Sequence, residues 1–303
     1  MLALSRAVPV TLRPPGKINL TLEVLARRDD GYHTLRSVMV PIGLTDELDL
    51  AHADRFAFTC EPGALGEDNL VVRAFSRIGL ASAPVSVMLR KRIPVGAGLG
   101  GGSSDAASVL RAAMEGTFGA LAPRDWVADA RALGSDIPFF LVDGPALVEG
   151  TGERVTALGP APPWWLVLVV PAVHVDTGKA YASLAEARSV NPVPTRPRSG
   201  SATLRCGEAL QRHDYHGVLA AMTNDFEPVV RARYPAVDAA LNALSEAGAP
   251  GRAMLSGSGG ACFALFPDEA SARAFAVRLR APSGAAIHIV PFALGDSWMP
   301  SPT

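Results

Sequence analysis

Pro94-Val-Gly-Ala-Gly-Leu-Gly-Gly-Gly-Ser-Ser104 sets five glycines and two serines between a strand-like run and a helix-like run. Glycine lets main-chain N–H groups converge on an anion, and a following helix adds the positive end of its dipole. Upstream, Val85, Val87 and Leu89 alternate with Ser86, Met88 and Arg90, the period of a strand. Downstream, Ala107, Leu110 and Met114 recur at helical spacing until Gly116, and Ser103, Ser104 or Asp105 can cap the helix start. The stretch therefore reads as a phosphate cradle and points first to a nucleotide.

Several nucleotide loops share its letters. Gly96 to Gly101 satisfies G-x-G-x-x-G, yet a dinucleotide-binding strand is buried on both faces, and this one ends Arg90-Lys-Arg92. Neither H-R-D nor D-F-G occurs, which excludes a protein kinase. A Walker loop ends G-K-[ST], whereas Gly102 runs directly into Ser103.

The 303 residues suit two domains of about 150 each. With 49% hydrophobic and 19% charged residues the chain has enough apolar surface to fold. A net charge of −1 with scattered basic residues gives no footprint for nucleic acid or an anionic membrane. Cys60, Cys206 and Cys262 are widely spaced, which suggests neither disulfides nor a zinc site. The opening Met1-Leu-Ala-Leu-Ser-Arg6 is short for a signal segment and no apolar run reaches membrane length, so a cytoplasmic, soluble monomer or homodimer is expected. Of 28 basic residues only Lys17, Lys91 and Lys179 are lysine, which marks them as places where a compact point charge is wanted.

Ile18, Leu20, Leu22 and Val24 alternate with Lys17, Asn19, Thr21 and Glu23, predicting a strand with one aliphatic and one polar face. Arg28-Asp-Asp-Gly31 supplies turn chemistry, and Tyr32 to Ile42 is expected to return antiparallel. Helices are predicted from Leu70 through Arg77, from Asp125 to Leu133 with a left-handed stop at Gly134, and around 208–222 and 235–247. Gly159-Pro-Ala-Pro-Pro163 marks a domain boundary, dividing 1–160 from 161–303, and Trp165 to Val170 reads as a buried strand. Residues 189–203 read as a surface loop, and a second Gly/Ser cluster, Ser256-Gly-Ser-Gly-Gly260, leads into a strand.

Pro14-Pro-Gly-Lys-Ile-Asn-Leu20, the central glycine loop and Ser256-Gly-Ser-Gly-Gly260, in this order, resemble the GHMP kinase family. Gly31-Tyr-His33, Asp68-Asn-Leu70, the triple glycine and Gly134-Ser-Asp-Ile-Pro-Phe139 resemble the branch whose substrate carries a cytidine diphosphate group. The resemblance implies an α/β (α+β) fold: an N-terminal domain like the second domain of ribosomal protein S5, and a C-terminal ferredoxin-like domain. It also implies transfer of the γ-phosphoryl group of ATP, with Mg²⁺, to the tertiary 2-hydroxyl of a methylerythritol unit in isoprenoid precursor synthesis. A homoserine or mevalonate-type kinase, or a silent nucleotide-binding homologue, is the alternative.

On that resemblance Asp136 is the candidate base and Lys17 its cationic partner. The plainer readings are an N-cap before Ile137-Pro138 and a lysine snorkelling at a strand end. For ATP the resemblance implies Pro94, Val95, Gly96, Ala97, Gly98, Leu99, Gly100, Gly101, Gly102, Ser103 and Ser104, with Asn69 and Lys91 at the adenosine end. Lys91 also reads as a solvated strand charge. Ser104 is the hydroxyl nearest an expected Mg²⁺, whose ligands the sequence leaves open. Asn19, Tyr32, His33, Thr177 and Tyr181 are implied for the substrate, Tyr181 by stacking on the cytosine.

Overall fold

A computed structural model describes residues 9–27, 33–63, 68–190 and 198–293. The first half contains β1 (Val10–Leu12), β2 (Pro15–Arg27), β3 (His33–Thr45), β4 (Glu47–His52), β5 (Ala57–Glu61), α1 (Leu70–Arg77) and β6 (Val85–Arg90). It continues with α2 (Gly101–Met114), α3 (Trp126–Leu133), a 3-10 turn (Pro138–Leu141), β7 (Ala146–Gly150) and β8 (Arg154–Ala157). The second half contains β9 (Trp165–Val170), α4 (Thr177–Val190), α5 (Ala202–Gln211), α6 (Tyr215–Ala221), β10 (Thr223–Asn224) and α7 (Glu227–Arg233). It ends with α8 (Pro235–Glu246), β11 (Met254–Leu255), β12 (Cys262–Phe266), α9 (Glu269–Arg278) and β13 (Ala286–Pro291).

The strands form three sheets, ordered β1-β4-β6-β5, β10-β2-β3-β7-β8 and β11-β12-β9-β13. The predicted pairing around Arg28–Gly31 is the antiparallel β2–β3 ladder, which sets Lys17 opposite Pro41 and Asn19 opposite Met39. The turn itself, with Tyr32, lies outside the described residues.

The halves interlock: β10 runs parallel to β2, with Asn224 opposite Leu22, and Ala293 donates its N–H to the Pro41 carbonyl at 2.8 Å. Strand β9 explains why they stay together. Its apolar run is buried on both faces, Leu166 and Leu168 packing with Ile18 and Leu20, Val167 and Val169 packing under α4, α7, α8 and α9.

The predicted polar face of β2 is not solvated: Lys17, Asn19, Thr21 and Glu23 are all buried. Their polar atoms are paired, as burial requires. The Lys17 ammonium donates to Asn19 Oδ1 (2.7 Å), Asn19 Nδ2 donates to Ser37 Oγ (2.8 Å), and Glu23 accepts from Ser201 Oγ (2.5 Å).

Other expectations shift. Gly134 ends α3 with φ 174°, extended rather than left-handed, while Asp125 caps the helix start. The helix expected around 208–222 is two helices, broken at His213 (φ 53°) and restarted by the Asp214 cap. The loop expected over 189–203 is partly helix, since α4 runs to Val190 and α5 opens at Ala202.

Asn224 anchors the crossing between the halves. Its Nδ2 donates to the carbonyls of Leu255 and Gly257, each at 2.8 Å, and its Oδ1 accepts from Phe226 N. Asn224→Ala strands these buried groups, so urea unfolding is expected to show a loss of about 1–3 kcal/mol; an unchanged midpoint contradicts the anchor.

Candidate active site

The glycine loop is clamped from two sides, by two main-chain groups and one hydroxyl. Lys17 N donates to Leu99 O (2.8 Å), Ala261 N to Ala97 O (2.9 Å), and Ser256 Oγ to Gly98 O (3.1 Å). Ala97 and Leu99 are buried anchors, and the glycines that alternate with them sit against neighbours that leave no room for a side chain. Gly98 has φ 82°, and a Cβ there would stand 2.3 Å from the Ser256 carbonyl; one on Gly259 would stand 2.2 Å from Gly98 N. The second Gly/Ser cluster is therefore the wall against which the first is built.

Helix α2 starts differently from the expectation. Its N-cap is Gly100 (φ 71°) with no side-chain cap; Ser103, Ser104 and Asp105 already lie inside the helix. No side chain competes for the first-turn N–H groups, which suits an anion. Ser104 is fully buried with an unpartnered Oγ.

Lys17 and Asp136 meet at 3.7 Å, with the lysine side chain 4% exposed and the aspartate 33%. Burial pulls the Lys17 ammonium below its ordinary pKa, and the Asp136 charge opposes that pull. Asp136 does not cap the 3-10 turn, whose N-cap is Ile137 without a side-chain bond, so the capping alternative fails. The snorkelling alternative for Lys17 fails as well, because its ammonium is buried and paired.

A cleft of about 1410 Å³ brings together Lys17, Asn19, His33, Gly98, Gly100, Asp136, Thr177 and Tyr181. The rings of His33 and Tyr181 stack at 5.1 Å, and Phe226 meets Tyr181 edge-on at 4.7 Å. Burial, with the Asp136 charge adding to it, pushes the Tyr181 hydroxyl up to about 12. Thr177 and Ser258 hydroxyls share a 3.0 Å hydrogen bond, tying the start of α4 to the second Gly/Ser turn. Phe226, Arg131 and Glu153 also line the cleft and were missed from sequence; only the aromatic character of Phe226 offered a signal.

Asn69 caps α1, accepting from Val71 N at 2.8 Å. Lys91 is not the solvated charge of the plainer reading. Its side chain is 7% exposed and its ammonium lies between Asp46 and Asp105, 2.7 Å from the latter. Burial works against the Lys91 charge, but the two carboxylates outweigh it and raise its pKa. One ammonium compensates only one of two buried carboxylates. Burial, against the pull of Lys91 and with the Asp46 charge adding, accordingly brings Asp105 up to about 7.

A folded-state value above the unfolded one, near 3.9, means the native protein holds the extra proton between the two. Stability thus falls as pH rises through that window and levels above about 7. Asp105→Asn removes the fall, so its melting temperature relative to the parent is expected to be higher at about pH 8 than at about pH 5; an equal difference at both contradicts this. Gly98→Ala, strained and in collision with Ser256, is expected to lower the melting temperature, and an unchanged one contradicts the close approach.

Residues 69–144 match the GHMP kinases N terminal domain and residues 208–283 the GHMP kinases C terminal region. The 4-diphosphocytidyl-2-C-methyl-D-erythritol kinase of Geobacter sp. (strain M21) is 39% identical over 280 residues, which cover 90% of this chain and 95% of that one. A crystal structure of 4-(cytidine 5'-diphospho)-2C-methyl-D-erythritol kinase superposes with a TM-score of 0.72 at 32% identity, covering 93% of this chain and 100% of that one. A homoserine kinase from Cytophaga hutchinsonii, 16% identical with a TM-score of 0.66 over 98% of each chain, shares the fold alone. A relative this similar along nearly its whole length, together with both family regions, decides the matter: the chain belongs to the GHMP kinase family, on the branch of the 4-diphosphocytidyl-2-C-methyl-D-erythritol kinases.

Proposed function

We propose that this protein transfers the γ-phosphoryl group of ATP to the 2-hydroxyl of 4-diphosphocytidyl-2-C-methyl-D-erythritol, a step in isoprenoid precursor synthesis. The observation that carries the mechanism is the Lys17–Asp136 pair, 3.7 Å apart beside the glycine loop and in one cleft with an aromatic wall.

Phosphoryl transfer asks a protein for alignment and charge neutralisation more than covalent chemistry. Asp136 orients the substrate hydroxyl and takes its proton as the new O–P bond forms and the bond to the ADP oxygen breaks. Lys17, held by Asn19, offsets charge gathering on the transferred group. Main-chain N–H groups of the 94–104 loop hold the triphosphate.

Mg²⁺ fits this donor set. No group of three His, Cys, Asp or Glu forms a cage among the described residues, but a magnesium ion draws most of its ligands from phosphate and water. The orphaned Ser104 hydroxyl at the start of α2 is the protein oxygen that would hold it. When bound, the ion neutralises the β- and γ-phosphate oxygens.

His33, Tyr181 and Thr177, with Tyr32, take the cytosine, and Asn19 the methylerythritol end. A small acyclic alcohol has no ring to place against such a wall, which disfavours a homoserine or mevalonate substrate. No helix among the described residues is long and apolar enough to cross a membrane; the proposed site of action is the cytoplasm.

ADP release assayed with ATP and diphosphocytidyl-methylerythritol, mevalonate, homoserine or galactose is expected to be appreciable only with the first. Lys17→Ala and Asp136→Ala are each expected to lower kcat at least about 100-fold, and undiminished turnover in both sinks the mechanism. Tyr181→Ala is expected to raise KM for the cytidine substrate about tenfold while leaving KM for ATP in place.

A further inference from the structure

Asp46 occupies the single position between β3 and β4 and is fully buried. Its N–H donates to the Pro14 carbonyl at 2.9 Å, next to the start of the strand that carries Lys17. Its carboxylate collects three donors from consecutive residues. Oδ1 accepts from Arg92 N (2.5 Å) and Ile93 N (2.8 Å), and Oδ2 from the Lys91 ammonium. That run ends where the glycine loop begins, at Pro94.

The same ammonium reaches the far end of the loop by donating to Asp105 Oδ2 in α2 at 2.7 Å. Gly101 closes over this junction, where a Cβ would stand 3.0 Å from Ile93 Cγ2 and 3.1 Å from Lys91 Nζ. Both ends of the 94–104 loop are thus fastened at one buried point, and that point is fastened to the approach of β2. The loop must present its N–H groups at fixed spacing to a triphosphate, and its own glycines do nothing to hold that spacing.

We propose that Asp46 is a positioning residue for ATP: acting through Lys91, Arg92 and Ile93, it fixes the two ends of the glycine loop relative to each other and to Lys17. It touches neither nucleotide nor alcohol. The inference rests on the loop being the ATP site, and the test separates the two ideas.

In Asp46→Asn the amide cannot accept from Lys91 and from both main-chain groups at once, and the ammonium loses one of its two carboxyl acceptors. KM for ATP is expected to rise about 10–100-fold, while KM for diphosphocytidyl-methylerythritol changes less than about twofold. A merely structural role lowers the melting temperature and the folded yield but leaves KM for ATP per folded molecule unchanged; that result overturns the proposal. Failure of the parent protein to bind ATP instead overturns the site assignment beneath it. If the variant does not fold, hydrogen exchange on the nucleotide-free parent decides. The Arg92 and Ile93 amides are expected to be strongly protected before any ligand is added, and rapid exchange at both contradicts a preset loop.

Discussion

The approach of one main chain to another at Gly98 and Gly259 is the constraint on which the site depends. A β-carbon at Gly98 would stand 2.3 Å from the Ser256 carbonyl, and one at Gly259 would stand 2.2 Å from Gly98 N, so neither position has room for a side chain. With both bare, the 94–104 loop lies flat on the 256–261 turn, and Ala261 N reaches the Ala97 carbonyl. The cradle is therefore built at the junction of both halves of the chain. That junction also sets Gly257 against Lys17 and Asn19, where a β-carbon would stand 3.2 and 3.4 Å from their polar atoms.

Around this contact, charge is rationed. Two of the three lysines are buried within it, each paired in its own way: Lys17 with Asn19 and Asp136, Lys91 with Asp46 and Asp105. An ammonium presents three donors around a point charge and so serves two acceptors in a small space, which a planar guanidinium does less readily. The pairs divide the labour. Lys17 looks into the cleft beside a partly exposed carboxylate, whereas Lys91 is spent within the protein on the base of the loop.

Much of this was legible in the sequence because it is local. The β2–β3 pairing, the double-sided burial of β9, the helix over 125–133 and the strand–loop–helix setting of the glycines follow from periodicity and turn chemistry over a few residues. What was not legible depends on distant coverage. The alternation of Lys17, Asn19, Thr21 and Glu23 marks a polar face but not what covers it; neighbours such as Ser201, from far along the chain, bury and pair it. Asp46 meets a lysine 45 residues away, and Asn224 meets carbonyls more than 30 residues on; neither carries a local mark. Ser103, Ser104 and Asp105 look like caps by composition, but Gly100 opens the helix, with φ 71° and no room for a β-carbon, which would stand 2.9 Å from Lys17 and 3.1 Å from Phe140. The wall formed by His33, Tyr181 and Phe226 joins two strand- and helix-borne rings to a third that no motif announced.

The central claim is that the cradle, the Lys17–Asp136 pair and the aromatic wall serve one transfer to one hydroxyl. The most direct measurement is ³¹P NMR, with mass spectrometry, of the product formed from ATP and 4-diphosphocytidyl-2-C-methyl-D-erythritol. Equimolar ADP and a single new phosphomonoester on the 2-position oxygen are expected, with the diphosphate bridge intact. Phosphate on another hydroxyl, or release of inorganic phosphate with no phosphorylated alcohol, contradicts that claim.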